Sequence, residues 1–142
     1  MGIRDTIRGK RTYFDANIFI YLLEGYSAFE EALLEIRDSI LNREAEIFTS
    51  DLTLCEVLVA PFRRNHTELA SRYRQFIEDS GAFALLPTTR DTYIRASLYR
   101  AQLRLKIPDA LHMASAVENG CSAFVTNDKA LKAPKGIEVV GL

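Results

Sequence analysis

The sequence predicts an α/β fold in which one parallel β-sheet is covered by helices on both faces. The chain has 142 residues, which suits one domain built on one hydrophobic core. Short runs of β-forming residues alternate with longer runs of helical periodicity. This alternation favours a parallel sheet, because each crossover helix packs on a face of the sheet. We therefore expect a single three-layer domain over residues 1–142, with residues 1–10 as an N-terminal extension.

Five strands are predicted from runs of β-branched and aromatic residues. In chain order they are Arg11–Asp15, Glu46–Thr49, Phe83–Leu86, Ser122–Thr126 and Ile137–Val140. Pro87 follows the third run directly and ends it.

Helices are predicted between these strands from apolar spacing and from residues that suit helix ends. In chain order they are Asn17–Glu24, Ala28–Asn42, a helix capped by Ser50 or Asp51 that ends near Ala60, Glu68–Asp79, Thr89–Leu105, Pro108–Gly120 and Asn127–Leu131. Pro61 is expected to stop the third of these. In Thr89–Leu105, one apolar face is formed by Ile94, Leu98, Ala101 and Leu105.

Composition narrows the class of protein. Apolar residues make up 48% and charged residues 26% of the chain, which is typical of globular domains. No apolar run is long enough for a bilayer, and the first ten residues lack the apolar core of a secretion signal. We expect a cytoplasmic protein without membrane association, with Cys55 and Cys121 as buried thiols. The net charge of −1 argues mildly against nucleic-acid binding, although carboxylates that bind a cation would weaken that argument.

Four acidic residues stand in unusual places. Asp15 and Asp128 each follow a predicted strand, at the sheet edge where open parallel sheets bind ligands. Asp109 follows Pro108 in the first turn of a helix, where it also complements the helix dipole. Glu56 lies in a helix that is apolar on nearly every side. Turn formation, helix capping and a position at the helix rim are the structural alternatives for these residues.

The interpretation of these four acids as one site is strengthened if both strands belong to one parallel sheet. Their carboxyl ends then share an edge with the helix N-termini, which brings four carboxylates together. Two like charges about 4 Å apart repel by roughly 4 kcal/mol at an effective dielectric near 20. Such a cluster requires protonation or a cation, and oxygen ligands favour Mg²⁺ or Mn²⁺.

Four segments of the chain resemble, in order, the four motifs of the PIN-domain family. They are Tyr13–Leu22, Thr49–Leu58, Pro108–Ala116 and Phe124–Leu131. The size and motif order are similar to those of VapC-like toxins from toxin–antitoxin pairs. Ala16 departs from the pattern, because many members carry a hydroxyl residue there.

The resemblance implies a PIN-like fold and an endoribonuclease that hydrolyses RNA phosphodiester bonds with Mg²⁺ or Mn²⁺, leaving a 5′-phosphate and a 3′-hydroxyl. The family's acidic positions fall on Asp15, Glu56, Asp109 and Asp128, and its supporting polar positions fall on Asn17, Thr126 and Asn127. We expect Asp15, Asp109 and Asp128 to bind the metal. Glu56 is expected either to bind it or to orient a water molecule.

Partners follow from the same resemblance. We expect an RNA substrate, a homodimer, and a small antitoxin protein bound at the helix pair from Asp51 to Asp79, where Phe62 and Tyr73 are candidates for exposed apolar contacts. Candidate RNA contacts are Arg63, Arg64, Arg100 and Arg104, with ordinary solvated charge as the alternative.

Other interpretations remain open at this point. His112 is either a metal ligand or a hydrogen-bonded structural histidine. A PIN-like RNA-processing nuclease or an RNA-binding module without a toxin role is the main alternative function. A haloacid-dehalogenase-like phosphatase would place a second Asp where Asn17 stands, and a binding module with a dead site would tend to lose acids.

Overall fold

The computed structural model describes residues 2–142 and has one parallel sheet of five strands. The strands are β1 Arg11–Phe14, β2 Glu46–Ser50, β3 Ala84–Leu86, β4 Ala123–Thr126 and β5 Glu138–Gly141. Their order across the sheet is β3-β2-β1-β4-β5, with every neighbouring pair parallel. In the central strand, Thr12 lies beside Ile47 of β2 and Ala123 of β4. The predicted fold class is confirmed.

Seven α-helices connect and cover the strands in the described part of the chain. They are α1 Ile3–Ile7, α2 Ala16–Glu24, α3 Glu30–Leu41, α4 Asp51–Arg63, α5 Thr67–Arg74, α6 Arg90–Leu103 and α7 Ile107–Glu118. A 3-10 turn, Ser27–Phe29, precedes α3, and a π-helical turn, Gln75–Asp79, follows α5. Over residues 2–142 none of the helices combines the length and the hydrophobicity needed to cross a bilayer.

The two faces of the sheet bury two hydrophobic clusters. Side chains alternate along β1, so Phe14 joins the cluster under α1 to α5, whereas Tyr13 joins the cluster under α6 and α7. Both side chains are fully buried. This arrangement holds β1 rigidly, and with it Asp15, the residue that follows the strand.

Residues 1–10, expected as an extension without an assigned role, contain the helix α1. Ile3 and Ile7 are buried in the core beside α3, and Arg4 forms a two-pronged ion pair with Glu44, at 2.7 and 2.8 Å. Met1 lies outside the described residues.

The predicted end of α4 at Ala60 is wrong, because the helix runs through Pro61 to Arg63. Proline removes one backbone donor from the helix. Here the ring is buried, and the helix closes with the N–H groups of Arg64 and His66 bonded to the carbonyls of Ala60 and Pro61. One missing hydrogen bond near a helix end is therefore tolerated.

The predicted helix Asn127–Leu131 is also wrong. A tight turn replaces it, in which the Asp128 side chain accepts the N–H of Ala130 and the Asp128 carbonyl accepts the N–H of Leu131. Aspartate commonly stabilises such turns in place of a helix.

The apolar face that the sequence indicates on α6 is mostly not the face that packs. Ile94 and Leu98 are 61% and 48% exposed, and only Leu105, beyond the helix, is buried. The packed face contains Thr92, Ala96 and Tyr99. Thr92 forms a capping box with the N-cap residue Thr89 and donates a hydrogen bond to Glu118 of α7, which fixes the rotation of α6.

Two expectations about burial need correction. Cys55 is exposed on α4, whereas Cys121 is buried, and burial raises the pKa of the Cys121 thiol to about 12. Tyr73 is fully buried and hydrogen-bonded to Glu24, so it is not an exposed contact. Its ring packs in the hydrophobic core with Leu69 and Ile77, although the helix is polar overall. Phe62, in contrast, is 62% exposed.

Candidate functional site

The candidate site lies at the carboxyl-terminal edge of the sheet. β1 and β4 are parallel neighbours, so Asp15 and Asp128 emerge at the same edge. Helix α4 begins there directly after β2, and α7 packs against both α4 and β2. The fold therefore supplies a short polar region with contributions from two strands and two helices.

Asp15 is the most firmly held of the four acids. It is 9% exposed and caps α2, accepting the N–H of Ala16 at 2.8 Å. Its other oxygen accepts the hydroxyl of Thr126 at 2.7 Å. These bonds fix the carboxylate at the end of β1.

Thr126 connects the two strand-end acids. Its hydroxyl donates to Asp15 and accepts the N–H of Asp128 at 3.2 Å. The Asp128 carboxylate also accepts the N–H of Ala130 at 3.0 Å. Turn formation, the structural alternative for Asp128, is thus present, and its second carboxylate oxygen is the one left for a ligand.

Asp109 responds electrostatically to the other acids. Partial burial raises the pKa of Asp109, and the charge of Asp15 raises it further. Asp128 and Glu56 act in the same direction, while His112 opposes them. Burial is thus the main cause of the raised pKa of Asp109, and the charges of the three other carboxylates add to it.

Glu56 interacts with His112, a buried residue on α7. The His112 Nε2 is hydrogen-bonded to Glu56 and lies 3.7 Å from Asp15 Oδ1. The Glu56 side chain is 36% exposed, so it bridges the buried histidine and solvent. The position at the helix rim, which the sequence left open as the structural alternative for Glu56, matches this exposure.

Tyr13 fixes the other side of the histidine ring. Its hydroxyl lies 2.6 Å from His112 Nδ1 and 2.9 Å from the Ser50 hydroxyl. Burial raises the pKa of Tyr13, which keeps the hydroxyl protonated. With the tyrosine donating to Nδ1, the proton of His112 lies on Nε2 and is donated to Glu56.

Sequence reasoning did not find the roles of Tyr13 and Ser50. Tyr13 lies on β1 two positions before Asp15, which follows the strand, and His112 stands one helical turn after Asp109. Those spacings place each pair on a shared side of its element, which was the available signal. Of the two interpretations left open for His112, the hydrogen-bonded structural one matches this geometry.

The supporting polar residues form a second group at this edge. The Asn17 side-chain amide donates to Asn127 at 3.2 Å, and the Asn127 amide donates to the Tyr21 hydroxyl at 2.9 Å. This chain leads from the candidate site onto the outer surface of α2.

The four candidate arginines divide into two pairs. Thr92 joins the start of α6 to the end of α7, so the end of α6, with Arg100 and Arg104, lies near the start of α7 and Asp109. Arg63 and Arg64 are exposed at the end of α4, and no hydrogen bond or ion pair within residues 2–142 links them to the four acids. Their role as RNA contacts stays a prediction.

The donor set fits a hard divalent cation in its chemistry. It offers carboxylate oxygens in a negative environment, and such oxygens are what Mg²⁺ and Mn²⁺ bind. Among residues 2–142, however, no three acidic, histidine or cysteine side chains stand in a ready-made metal-binding arrangement. The charges of Asp15, Asp128 and Glu56 reach Asp109, and binding an ion between these side chains would require them to move.

Comparison with known proteins assigns the family. The PIN-domain sequence profile matches residues 12–137. The chain belongs to the PIN-domain family. Among curated proteins, no sequence matches this PIN domain.

Solved structures show the same fold. A toxin–antitoxin complex from Klebsiella pneumoniae contains a chain 26% identical, with a TM-score of 0.63, over 91% of this PIN domain and 95% of that chain. VapBC2 from Rickettsia felis, bound to a promoter DNA fragment, is 14% identical with a TM-score of 0.69, over 92% and 98% of the two chains. Mycobacterium tuberculosis VapC20, a Sarcin-Ricin loop cleaving toxin, is 15% identical with a TM-score of 0.67. The match covers 83% of this PIN domain and 90% of the VapC20 chain. The predicted resemblance is confirmed, and the last two similarities concern the fold alone.

Proposed function

We propose that this PIN domain is a metal-dependent endoribonuclease and the toxin of a toxin–antitoxin pair, acting in the cytoplasm. The observation that carries the proposal is that Asp15 and Asp128 follow neighbouring parallel strands, and that the charges of both, together with that of Glu56, raise the pKa of Asp109 in a chain of this family. The similarity to a toxin–antitoxin complex along nearly the whole chain supports the toxin role. RNA is the substrate that we propose by analogy with VapC20, a protein of the same fold that is named as a Sarcin-Ricin loop cleaving toxin.

In the proposed reaction, water adds to a phosphodiester phosphorus and the bond to the 3′ oxygen breaks. This leaves a 5′-phosphate and a 3′-hydroxyl. Mg²⁺ or Mn²⁺ held by Asp15, Asp109 and Asp128 would lower the pKa of water and offset the charge that develops on phosphate. Thr126 holds the Asp15 carboxylate in place, at 2.7 Å.

Glu56 is assigned the role of the general base that accepts a proton from the attacking water molecule. Its Oε1 is engaged by His112, which leaves Oε2 to accept a proton from water. His112 is itself fixed by Tyr13, so the orientation of Glu56 is set by two residues of the core. Geometry of this kind is required of a general base.

The direct experiment is a map of cleavage sites on total RNA, with and without Mg²⁺. The proposal expects new 5′-phosphate ends only when the metal is present. Metal-independent cleavage, or no cleavage of any RNA, would contradict it.

Metal binding can be tested apart from activity. With Mg²⁺ at 100 times its dissociation constant, the free energy of unfolding should rise by about 2.7 kcal/mol, which raises the melting temperature by roughly 5–10 °C for a domain of this size. Asp109→Asn should lose this gain. In EDTA the variant should melt at the wild-type temperature or above, because its raised pKa means that ionising Asp109 costs folding free energy at neutral pH.

Asp91→Asn provides the matched control for the melting experiment. Asp91 also lies in the first turn of a helix, α6, but is exposed and away from the other acids. This variant should keep the full Mg²⁺ stabilisation. Equal stabilisation of wild type and Asp109→Asn would remove Asp109 from the metal site.

We further propose that an antitoxin docks on the α4–α5 pair and that the chain forms a homodimer. Phe62 and Val59 are exposed apolar residues on α4, at 62% and 41%, beside the exposed Arg63 and Arg64. Phe62→Asp should weaken binding of a small protein encoded beside this chain by at least tenfold, whereas Leu34→Asp on α3 should not. A strictly monomeric chain in light scattering, with no small neighbouring gene, would contradict both proposals.

A further inference from the structure

Three aromatic rings form a group beside the candidate site, in which Tyr26 is exposed and Tyr21 and Phe29 are partly buried. The Tyr21 and Tyr26 ring centroids are 4.8 Å apart with planes inclined by 24°, a stacked arrangement. Phe29 packs against both rings, at 5.7 and 5.3 Å. Tyr26 is 50% exposed, although it belongs to an aromatic cluster. We call these three residues the tyrosine shelf.

The backbone at Gly25 builds the tyrosine shelf. Gly25 has a φ of +83° and its N–H bonds to the carbonyl of Tyr21 at 2.8 Å. This residue, whose positive φ suits glycine, ends α2 and turns the chain so that Tyr26 stacks on Tyr21. The ring is thus held in place before any ligand arrives.

Hydrogen bonds connect the tyrosine shelf to the candidate catalytic edge. The Tyr21 hydroxyl accepts from Asn127, and Asn127 accepts from Asn17. These asparagines adjoin Asp128 and lie two residues after Asp15. Because Tyr21 accepts from Asn127, its own O–H can donate to a nucleotide oxygen.

A cavity of about 200 Å³ borders Tyr26, with Leu33, Glu30 and Arg37 among its lining residues. Arg37 donates to the carbonyl of Leu22 at 2.8 Å and forms no ion pair within residues 2–142. Its positive charge is therefore available to an anionic or π-rich ligand. A flat ring surface, a positive charge and a small cavity together match one nucleotide better than a purely apolar peptide.

We propose that the tyrosine shelf stacks an unpaired nucleobase of RNA, with Arg37 beside it, and so positions the strand next to the carboxylates. This inference rests on the proposed ribonuclease function and narrows its substrate to RNA with an unpaired nucleotide near the cleaved bond. Stacking on an aromatic ring tolerates any base, because each base has a π-face. The tyrosine shelf thus supplies affinity and placement more than sequence choice.

Fluorescence tests stacking directly, because the chain has no tryptophan. In EDTA, a short single-stranded RNA should quench the emission of a Tyr26→Trp variant, and a fully paired RNA duplex should not. Tyr93→Trp is the matched control, since Tyr93 is 56% exposed on α6 outside the tyrosine shelf. Equal quenching of both variants, or none at Tyr26→Trp, would overturn the inference.

Binding and kinetics complete the test. Tyr26→Ala should weaken single-stranded RNA binding and raise KM by about 5- to 150-fold, the range expected for one stacked base, with kcat within about threefold of wild type. Tyr26→Phe keeps the ring and should restore both values. An active wild type with unchanged Tyr26→Ala binding and KM would overturn the inference alone. Loss of a protein partner in Tyr26→Ala, with RNA binding intact, would also overturn it.

The outcome for the wild type separates the two proposals. If the wild type cleaves no RNA but the Tyr26→Trp emission is still quenched by single-stranded RNA, the proposed function fails and the tyrosine shelf stands. If it neither cleaves nor binds RNA, both fail.

Discussion

In the Asp15→Asn variant we expect Mg²⁺-dependent RNA cleavage to fall by roughly 1,000-fold or more, which is about 4 kcal/mol of transition-state free energy. The substitution removes a charge from the proposed metal site and keeps the shape of the side chain. Cleavage of total RNA under identical metal and salt conditions measures the effect. An Asp15→Asn variant with full activity would refute the proposed site.

The fold should survive this substitution. Asparagine caps helices as well as aspartate does, so the bond from Ala16 to the side chain can persist. The new amide group would face the Thr126 hydroxyl, which can accept as well as donate. The melting temperature without metal should therefore stay within a few degrees of wild type. Asp15→Ala removes the cap and should cost about 1 kcal/mol of folding stability, which distinguishes a folding defect from loss of chemistry.

The sheet could be predicted because its signals are local. Each strand is a short run of β-forming residues bounded by turn residues. No observed strand end differs from the predicted one by more than one residue. The parallel orientation of the strands then followed from their alternation with helices along the chain. The extra helix α1 escaped prediction because five residues with two buried isoleucines carry little periodicity.

The errors arose where tertiary contacts override local preference. Pro61 should end a helix by its own chemistry, yet the chain around it completes the turn. The orientation of α6 depends on the bond between Thr92 and Glu118, which are 26 residues apart. A pattern within one helix contains no information about such a partner.

The candidate site, like the fold, was predictable from the sequence only in part. Strand ends and a helix start placed Asp15, Asp109 and Asp128 at one edge without knowledge of any distance. The hydrogen bonds of His112 to Tyr13 and Glu56 span 99 and 56 residues, and they depend on how α7 packs under β1. The sequence therefore predicted which acids share this sheet edge, while the residues that orient Glu56 and Asp15 were found only in the three-dimensional structure.

Glu56→Gln is expected to lower cleavage by roughly 100- to 1,000-fold, in the range found when one group that acts on the transition state is removed. The glutamine oxygen can still accept the Nε2 proton of His112, so the side chain keeps its position. What it loses is the ability to take a proton from water. Because the carboxylate is 36% exposed, its charge is well hydrated and the melting temperature without metal should change little.

Glu56→Ala separates this catalytic role from a purely structural one. Removing the whole side chain leaves Nε2 of the buried His112 without its acceptor, at a cost of about 1–3 kcal/mol for an unsatisfied polar group. We therefore expect Glu56→Ala to be both inactive and less stable, and Glu56→Gln to be inactive at nearly wild-type stability. If Glu56 only braces His112, cleavage per folded molecule should stay close to the wild-type value in both variants, whatever their stability. A destabilised but fully active Glu56→Gln would then remove Glu56 from the catalytic set and leave the aspartates to orient the water molecule.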